Sequence, residues 1–210
     1  VKNVRNPLLL ARAVMEHTEH VLLCGAGAER FAKKINLPFE NDEYFYNQFR
    51  FEQWNEVKES ESMILDHTEK KFGTVGCVAM DTKGNLAAAT STGGMTNKRY
   101  GRIGDTPVIG AGTWADNATC AISCTGHGEF FIRQVVAYDV ACLMEYKGMP
   151  LKEACNEVVY KKLVKSGGEG GLIAVDALGN IQTIFNSEGM YRATASASQP
   201  VQVKIYKDLH

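Results

Sequence analysis

The spacing of apolar positions changes several times along the chain, and each change predicts a different element. The run "LLLARAVME" follows Asn6-Pro7, which predicts a helix because Asn caps exposed amides and Pro suits the first helical turn. The run "HVLLC" (20–24) predicts a short buried strand, and "AGAERFAKKI" (26–35) predicts another helix. The chain therefore opens with helix, strand and helix.

A stretch without clear periodicity follows at residues 40–71. It is polar, charged and aromatic, and its second part, "NEVKESESMILDHTEKK" (55–71), has the composition of an exposed linker. The aromatic residues before the linker are compatible with a flap packed on its own domain or with a subunit interface. They are Tyr44, Phe45, Tyr46, Phe49, Phe51 and Trp54.

At residue 73 the pattern changes to apolar runs separated by turn residues, which predicts β-hairpins. The turns are Thr82–Asn85, a turn near Asp116-Asn117, and Leu178–Asn180. The predicted strands are "TVGCVAMD", "LAAATS", "PVIGAGTWAD", "ATCAISCT", both arms of "GGLIAVDALGNIQTIF", and "VQVKIY".

Two helices are predicted among these strands. The segment "EFFIRQVVAYDVACLMEY" is apolar on nearly every face and predicts a buried helix, whereas "LKEACNEVVYKKLV" is amphipathic. Hairpins with helices in blocks indicate the α+β class, an antiparallel sheet covered by helices.

Composition and charge argue against several classes of function. The 210 residues are 45% hydrophobic with a formal net charge of −1, so we expect a core of ordinary size and no nucleic-acid or membrane partner. We expect no leader segment, and no apolar run is long enough to cross a bilayer. The six cysteines form no C-x-x-C pair, which favours buried free thiols in a reducing, cytoplasmic compartment. The start at Val1, already within a helical pattern, indicates a fragment or a processed piece.

Several motif-like stretches do not support a site of their own. Gly25-x-Gly27 begins like a dinucleotide fingerprint, but the third glycine is replaced by Arg30 and no βαβ pattern follows. "HTEH" (17–20) lacks metal-protease spacing, and "GGEGG" (167–171) lacks the Lys of a phosphate loop. His127, between two glycines, is interpreted as a rim residue, and no metal site is predicted.

Three polar clusters bounded by glycines remain, namely Gly73-Thr74, 90–105 and 123–129. Each alone has an ordinary structural explanation, but together they suit nucleophilic chemistry by a threonine. A threonine hydroxyl needs a base, and no Ser/His/Asp arrangement is evident. The α-amino group of Thr74 has a suitable pKa of about 7.7–8.0, but it becomes free only if the Gly73–Thr74 bond is cut.

The block "GTVGCVAMDTKGNLAAATSTGGMTNKRYGRIGDTPVIGAGTWADN" with "SCTGHGEFFIR" resembles the plant-type L-asparaginase / isoaspartyl aminopeptidase family. The resemblance extends from "VRNP" and "GAGAERFA" to "GMYRA". The related glycosylasparaginases typically read S-T-N-G where this chain has Ser91-Thr92-Gly93-Gly94, which favours the asparaginase branch.

The resemblance implies a self-cleaving N-terminal-nucleophile hydrolase. Cleavage would fall between Gly73 and Thr74, with Thr74 as nucleophile and then as base through its new amino group. Thr92 would hydrogen-bond the nucleophile region. Thr125 and the Gly126 backbone N–H would form the oxyanion hole.

The resemblance also implies how substrate binds. Arg102 would bind the α-carboxylate and Asp105 the α-ammonium, which agrees with the chemistry of both side chains. The Gly128 backbone would line the amino-acid pocket. The implied reactions are hydrolysis of L-asparagine and of isoaspartyl (β-aspartyl) dipeptides, without a catalytic cofactor.

The implied fold is an αββα sandwich. Residues 1–73 would be the end of an α subunit with a linker at about 55–73, residues 74–210 the β subunit, and together they would make one domain. The implied assembly is (αβ)₂. Family members carry a further N-terminal region with a cation-binding loop, so a structural alkali ion would belong to that absent region. The alternatives are a glycosylasparaginase-like amidase and an uncleaved, non-catalytic fragment of this fold.

Overall fold

The computed structural model describes residues 1–59 and 73–207, which form two compact units. The first comprises residues 1–59 with 96–99, and the second comprises residues 73–95 and 100–207. Most of the predicted linker, residues 60–72, lies outside the described residues. Its first part differs from the prediction, because residues 55–57 are the last turn of a helix, Gln48–Val57.

The first unit contains four helices, α1 (Pro7–His17), α2 (Gly25–Lys34), α3 (Asp42–Phe45) and α4 (Gln48–Val57). The predicted helix start is confirmed, since Asn6 Oδ1 accepts hydrogen bonds from the amides of Leu8 and Leu9 at 3.1 and 3.2 Å. Apolar side chains of α1 and α2 then close a small core. Its buried members are Val4, Leu10, Val14, Ala28 and Ala32.

The strand predicted at 20–24 is wrong. This segment is an irregular connection between α1 and α2, and Val21 and Leu22 are 74% and 60% exposed. A strand needs a neighbour for its amides, and the isolated bridge between Val4 and Phe39 is the extended pairing found in this unit's described part. The apolar run at residues 20–24 therefore has no neighbouring strand in the described structure and does not form one.

The second unit contains three antiparallel sheets. A hairpin pairs β1 (Thr74–Met80) with β2 (Leu86–Thr92), four strands follow the order β3-β4-β5-β6, and a last hairpin pairs β7 with β8. The predicted hairpin turns are confirmed, but β3 is only three residues long and β7 was not predicted. The remaining strands are β3 (Thr113–Ala115), β4 (Cys120–Gly126), β5 (Gly170–Asp176), β6 (Ile181–Phe185), β7 (Gly189–Ser196) and β8 (Gln199–Tyr206).

The hairpin β1–β2 lies on one face of the four-stranded sheet at very short range. A Cβ atom placed on Gly76 of β1 would fall 2.0 Å from the Ser123 hydroxyl oxygen on β4. The same hydroxyl is 2.7 Å from that of Thr90 on β2, so a hydrogen bond joins the two sheets. Glycine at position 76 therefore allows the two sheets to meet.

Helices cover the opposite face of the four-stranded sheet. The predicted single helix at 129–146 is two helices, α5 (Gly128–Gln134) and α6 (Val136–Lys147), separated by Val135 in a left-handed conformation (φ 49°). At the break, the amides of Ala137 and Tyr138 donate to carbonyls of the loop at residues 110–111. Tertiary hydrogen bonds thus replace the helical ones that the break removes.

The amphipathic helix predicted at 151–164 is present as α7 (Leu151–Asn156) continued by a π-helical segment, Glu157–Leu163. Its buried side chains and those of α5 and α6 enclose the main core against β4 and β5. The core includes Ile122, Cys124, Phe131, Val136, Val140, Cys155, Val158, Val159, Leu163 and Leu172.

The α+β class is confirmed, and the second unit has the layer order hairpin, four-stranded sheet, helices. Within the described part of the chain, no helix is long and apolar enough to cross a membrane.

Candidate active site

The register of the first hairpin brings two threonines together. Thr74 is the first residue of β1 and Thr92 the last residue of β2, and they are cross-strand partners. The Thr74 hydroxyl donates a hydrogen bond to the Thr92 hydroxyl oxygen at 3.3 Å, and the same oxygen accepts from the Gly94 amide at 3.0 Å. The Thr74 hydroxyl is therefore held at the open end of the hairpin.

The end of β4 brings Thr125 and Gly126 to the same place. Gly126 has φ 152° and pairs with Gly170 of β5, where a Cβ on Gly126 would lie 2.4 Å from the Glu169 carbonyl oxygen. The next amide, of His127, donates to that carbonyl at 3.0 Å. Two glycines facing each other thus allow the strand ends to approach closely.

Asp105 is a buried acid with an unsatisfied oxygen. The residue is only 6% exposed, and its Oδ2 has no hydrogen-bond partner in the described structure. Gly112 and Gly128 make room for it, since a Cβ on either would come within 2.8 Å of the Asp105 carboxylate. Burial raises the pKa of Asp105 to about 6, although nearby Arg102 partly opposes that rise.

Arg102 is paired with a carboxylate that the sequence analysis did not identify. Its Nε and NH2 atoms donate to Oε1 and Oε2 of Glu129 at 2.6 and 2.7 Å. These bonds raise the pKa of the Arg102 guanidinium and lower the pKa of Glu129. Glu129 lies in the first turn of α5, two residues after His127, whose Nε2 is 3.3 Å from Oε2.

These residues surround a cavity of about 40 Å³. That volume is far below the roughly 300 Å³ at which drug-sized pockets begin, so the site suits a small polar group. Most predicted site residues line it, whereas Gly128 lies behind Asp105 and lines no part of the wall. The lining residues are Gly73, Thr74, Thr92, Gly94, Met95, Arg102, Gly104, Asp105, Thr106, Thr125 and Gly126.

Sequence reasoning overlooked Glu129, Met95 and Thr106. A signal for Glu129 was present, because an acid directly after the "TGHG" turn lies in the first turn of a predicted helix. The spacing alone could not show that its carboxylate returns to Arg102, 27 residues earlier in the chain.

The cysteines provide no alternative nucleophile at this site. All six are free, and burial raises the pKa of Cys120 to about 12 and that of Cys124 far above its usual value. Cys24 and Cys77 are exposed, which differs from the predicted burial. No group of three or more His, Cys, Asp or Glu side chains suited to a metal ion occurs among residues 1–59 and 73–207.

The chain is similar to proteins of one known family. A family model described as "Asparaginase" matches residues 1–205. An isoaspartyl peptidase of Escherichia coli is 50% identical over 214 residues, covering 99% of this chain and 67% of the relative. The isoaspartyl peptidase of Salmonella typhimurium is 52% identical, and the match covers 99% of this chain and 68% of the relative. A probable isoaspartyl peptidase/L-asparaginase 2 of Arabidopsis thaliana is 39% identical over 231 residues, which cover 99% of this chain and 70% of the relative. The chain thus spans about two thirds of these relatives.

Proposed function

The chain belongs to the asparaginase family of amide hydrolases, and on that premise we propose that it hydrolyses L-asparagine to L-aspartate and ammonia and cleaves isoaspartyl dipeptides. Both substrates present a β-aspartyl carbonyl beside a free α-amino group and a free α-carboxylate. One pocket for that charged head can therefore serve both reactions.

The buried Asp105 carboxylate, whose Oδ2 has no hydrogen-bond partner in the described structure, is the observation that supports this proposal best. A buried carboxylate oxygen without a partner is costly, and an ammonium group is its natural complement. Arg102 lies on the same cavity and offers a guanidinium to a carboxylate. The two charges match the two charged groups of an amino-acid head, and the Thr74 hydroxyl lies on the same cavity.

The reaction begins with self-activation. The Thr74 hydroxyl attacks the Gly73 carbonyl carbon, the peptide bond breaks through an ester, and water hydrolyses that ester. Thr74 then has a free α-amino group that serves as base. Its neighbour Thr92, 3.3 Å away, holds the hydroxyl in place.

Catalysis uses the same hydroxyl on substrate. Thr74 Oγ1 attacks the β-aspartyl carbonyl carbon, and its proton passes to the α-amino group and then to the leaving nitrogen. Ammonia or an amino acid departs, and water hydrolyses the β-aspartyl ester to aspartate. Thr125 and the Gly126 amide stabilise the oxyanion, and loss of such a donor costs about 3 kcal/mol.

The proposal includes the assembly. The layers of the second unit would be completed to an αββα sandwich, and cleavage would give α and β chains that pair as (αβ)₂. The aromatic residues before the linker support a subunit contact, because Tyr44, Phe45, Tyr46, Phe51 and Trp54 are each at least 41% exposed. A cytoplasmic location rests on the unpaired thiols.

The proposal is tested by intact-mass measurement and by ammonia release from asparagine, on the full-length protein. We expect a break between Gly73 and Thr74 and turnover of both substrate types. Thr74→Ala should stay intact and inactive, whereas Thr82→Ala, in the exposed turn of the first hairpin, should behave as wild type.

Other outcomes would identify a different function or a different cause of the cleavage. An uncleaved wild-type protein without turnover would identify a non-catalytic relative. Preference for glycosylated asparagine would identify a glycosylasparaginase-like amidase. Fragments formed equally by Thr74→Ala would indicate an outside protease.

A further inference from the structure

The guanidinium of Arg102 is fixed in its plane before any substrate arrives. Two parallel hydrogen bonds join its Nε and NH2 to Glu129, a geometry more directional than a single ion pair. The pair is also largely shielded from solvent, because the Arg102 side chain is 12% exposed and that of Glu129 33%.

This pairing determines which nitrogen of Arg102 faces the site. NH1 has no partner in the described structure and lies 3.1 Å from a Cβ position on Gly104, which lines the cavity. NH2 instead lies 3.1 Å from a Cβ position on Gly128, at the start of α5. The Glu129 carboxylate therefore occupies the Nε–NH2 edge and leaves NH1 on the cavity side.

Glu129 is itself carried by a packed helix. It lies in the first turn of α5, two residues before Phe131, which is fully buried in the main core. On its other side, His127 Nε2 approaches Oε2 at 3.3 Å. A carboxylate on a packed helix can orient its partner more accurately than one on a loop.

We propose that Glu129 is a positioning residue, which holds Arg102 so that its NH1 end receives the α-carboxylate of the substrate. This inference rests on the proposed function. The competing explanation is that Glu129 blocks Arg102 and must be displaced by substrate. The two explanations predict opposite changes in KM, because loss of a positioning group weakens substrate binding and loss of a competitor strengthens it.

The test compares steady-state hydrolysis of L-asparagine with that of 3-aminopropanamide, which has the same amide and amine but no α-carboxylate. For Glu129→Gln we expect the KM for asparagine to rise at least about tenfold, with kcat changed by less than about threefold. Activity on 3-aminopropanamide should be nearly unchanged, so the preference for the carboxylate-bearing substrate should fall by the same factor.

Two controls separate positioning from folding. Glu145→Gln makes the same change at an exposed position of α6 and should leave all constants unchanged. In an Arg102→Ala background, adding Glu129→Gln should cause no further rise in KM, because the residue acts through Arg102. Glu129→Asp keeps the charge but reaches less far, and it should raise KM even if the Gln variant folds poorly.

The outcomes are distinct. An unchanged or lowered asparagine KM in folded Glu129→Gln or Glu129→Asp, beside an active wild type, would overturn the positioning role and leave the proposed function intact. Additive effects in the double variant would also overturn it. A wild-type protein that hydrolyses neither compound would instead refute the proposed function.

Discussion

At the scale of single residues, the site is built around a charge that the fold alone does not satisfy. Asp105 is enclosed by backbone at Gly112 and Gly128, and those glycines leave no room for other side chains. An ionised carboxylate there lowers the stability of the empty protein, and a substrate ammonium would offset that cost. Such a conflict between stability and binding is common in functional sites.

Asp105 should therefore make stability depend on pH. Its pKa is raised from 3.8 to about 6, so the folded state binds the proton more tightly, and this stabilising effect is complete below pH 3.8 and lost as the pH rises through 6. The Asp105→Asn variant carries no charge at any pH. At pH 7.5 it should be more stable than wild type by up to about 3 kcal/mol, and the difference should vanish below pH 4.

Urea unfolding across this pH range measures the effect, with the exposed Asp116→Asn as the control. The same Asp105→Asn variant should bind aspartate poorly, because it lacks the charge for the ammonium group. A stability difference that does not depend on pH would show that Asp105 titrates normally.

At the scale of elements, the contact between the two sheets controls the geometry of the site. Thr74, Gly76 and Val78 face the four-stranded sheet, whereas Val75 of the same strand is 69% exposed. The nucleophile and the contact glycine thus share one face of β1, two residues apart. A change in the spacing of the sheets should therefore move Thr74 as well.

Gly76→Ala should separate the hairpin from the sheet. The added Cβ would lie 2.0 Å from the Ser123 hydroxyl oxygen and 2.8 Å from its Cβ, so we expect a loss of about 1–3 kcal/mol and much lower activity. Thermal unfolding and asparagine turnover measure both. The double variant Gly76→Ala with Ser123→Gly should recover part of the loss.

Gly27→Ala provides the matched control for Gly76→Ala. Its Cβ would meet only one atom within 4 Å, the end of Arg30 at 3.9 Å, and alanine favours the helix. That variant should be slightly more stable than wild type. Equal effects of both glycine substitutions would contradict the role of the sheet contact.

Local patterns predicted those elements whose signals are local. The cap at Asn6 and the turn at Thr82–Asn85 depend on neighbouring residues and are confirmed. The apolar run at 20–24 and the helix break at Val135 depend on distant backbone, namely a missing partner strand and the loop at 110–111. Likewise, the predicted site residues came from motifs, and all of them except Gly128 line one cavity. Glu129 could not be predicted in this way, because its contact with Arg102 depends on how α5 packs in three dimensions.

At the scale of the whole molecule, the exposed aromatic residues need an explanation that the described units do not supply. Tyr44, Tyr46 and Phe51 are 53%, 56% and 45% exposed, and Phe51 also packs against Trp54 with ring centres 5.9 Å apart. A flap packed on its own domain would bury such rings. The contact between copies that we propose would cover these rings.

Light scattering on the cleaved, full-length protein should give the mass of two αβ units. Phe51→Glu should shift it to one unit by placing a charge in the contact, whereas Leu178→Glu, at an 86% exposed position in the β5–β6 turn, should not. A fully active wild type with the mass of one αβ unit at high concentration would exclude an obligate dimer.

The register of the first hairpin also has a consequence for protein engineering. Seven consecutive cross-strand pairs connect Met80–Leu86 at the turn with Thr74–Thr92 at the site. One residue inserted within β2 would turn every later side chain to the opposite face, so Thr92 would no longer meet Thr74. A peptide grafted between Lys83 and Gly84 leaves all seven pairs unchanged and lies roughly 20 Å from the nucleophile. The tip of this hairpin is thus a suitable attachment point for an affinity tag or an immobilised support.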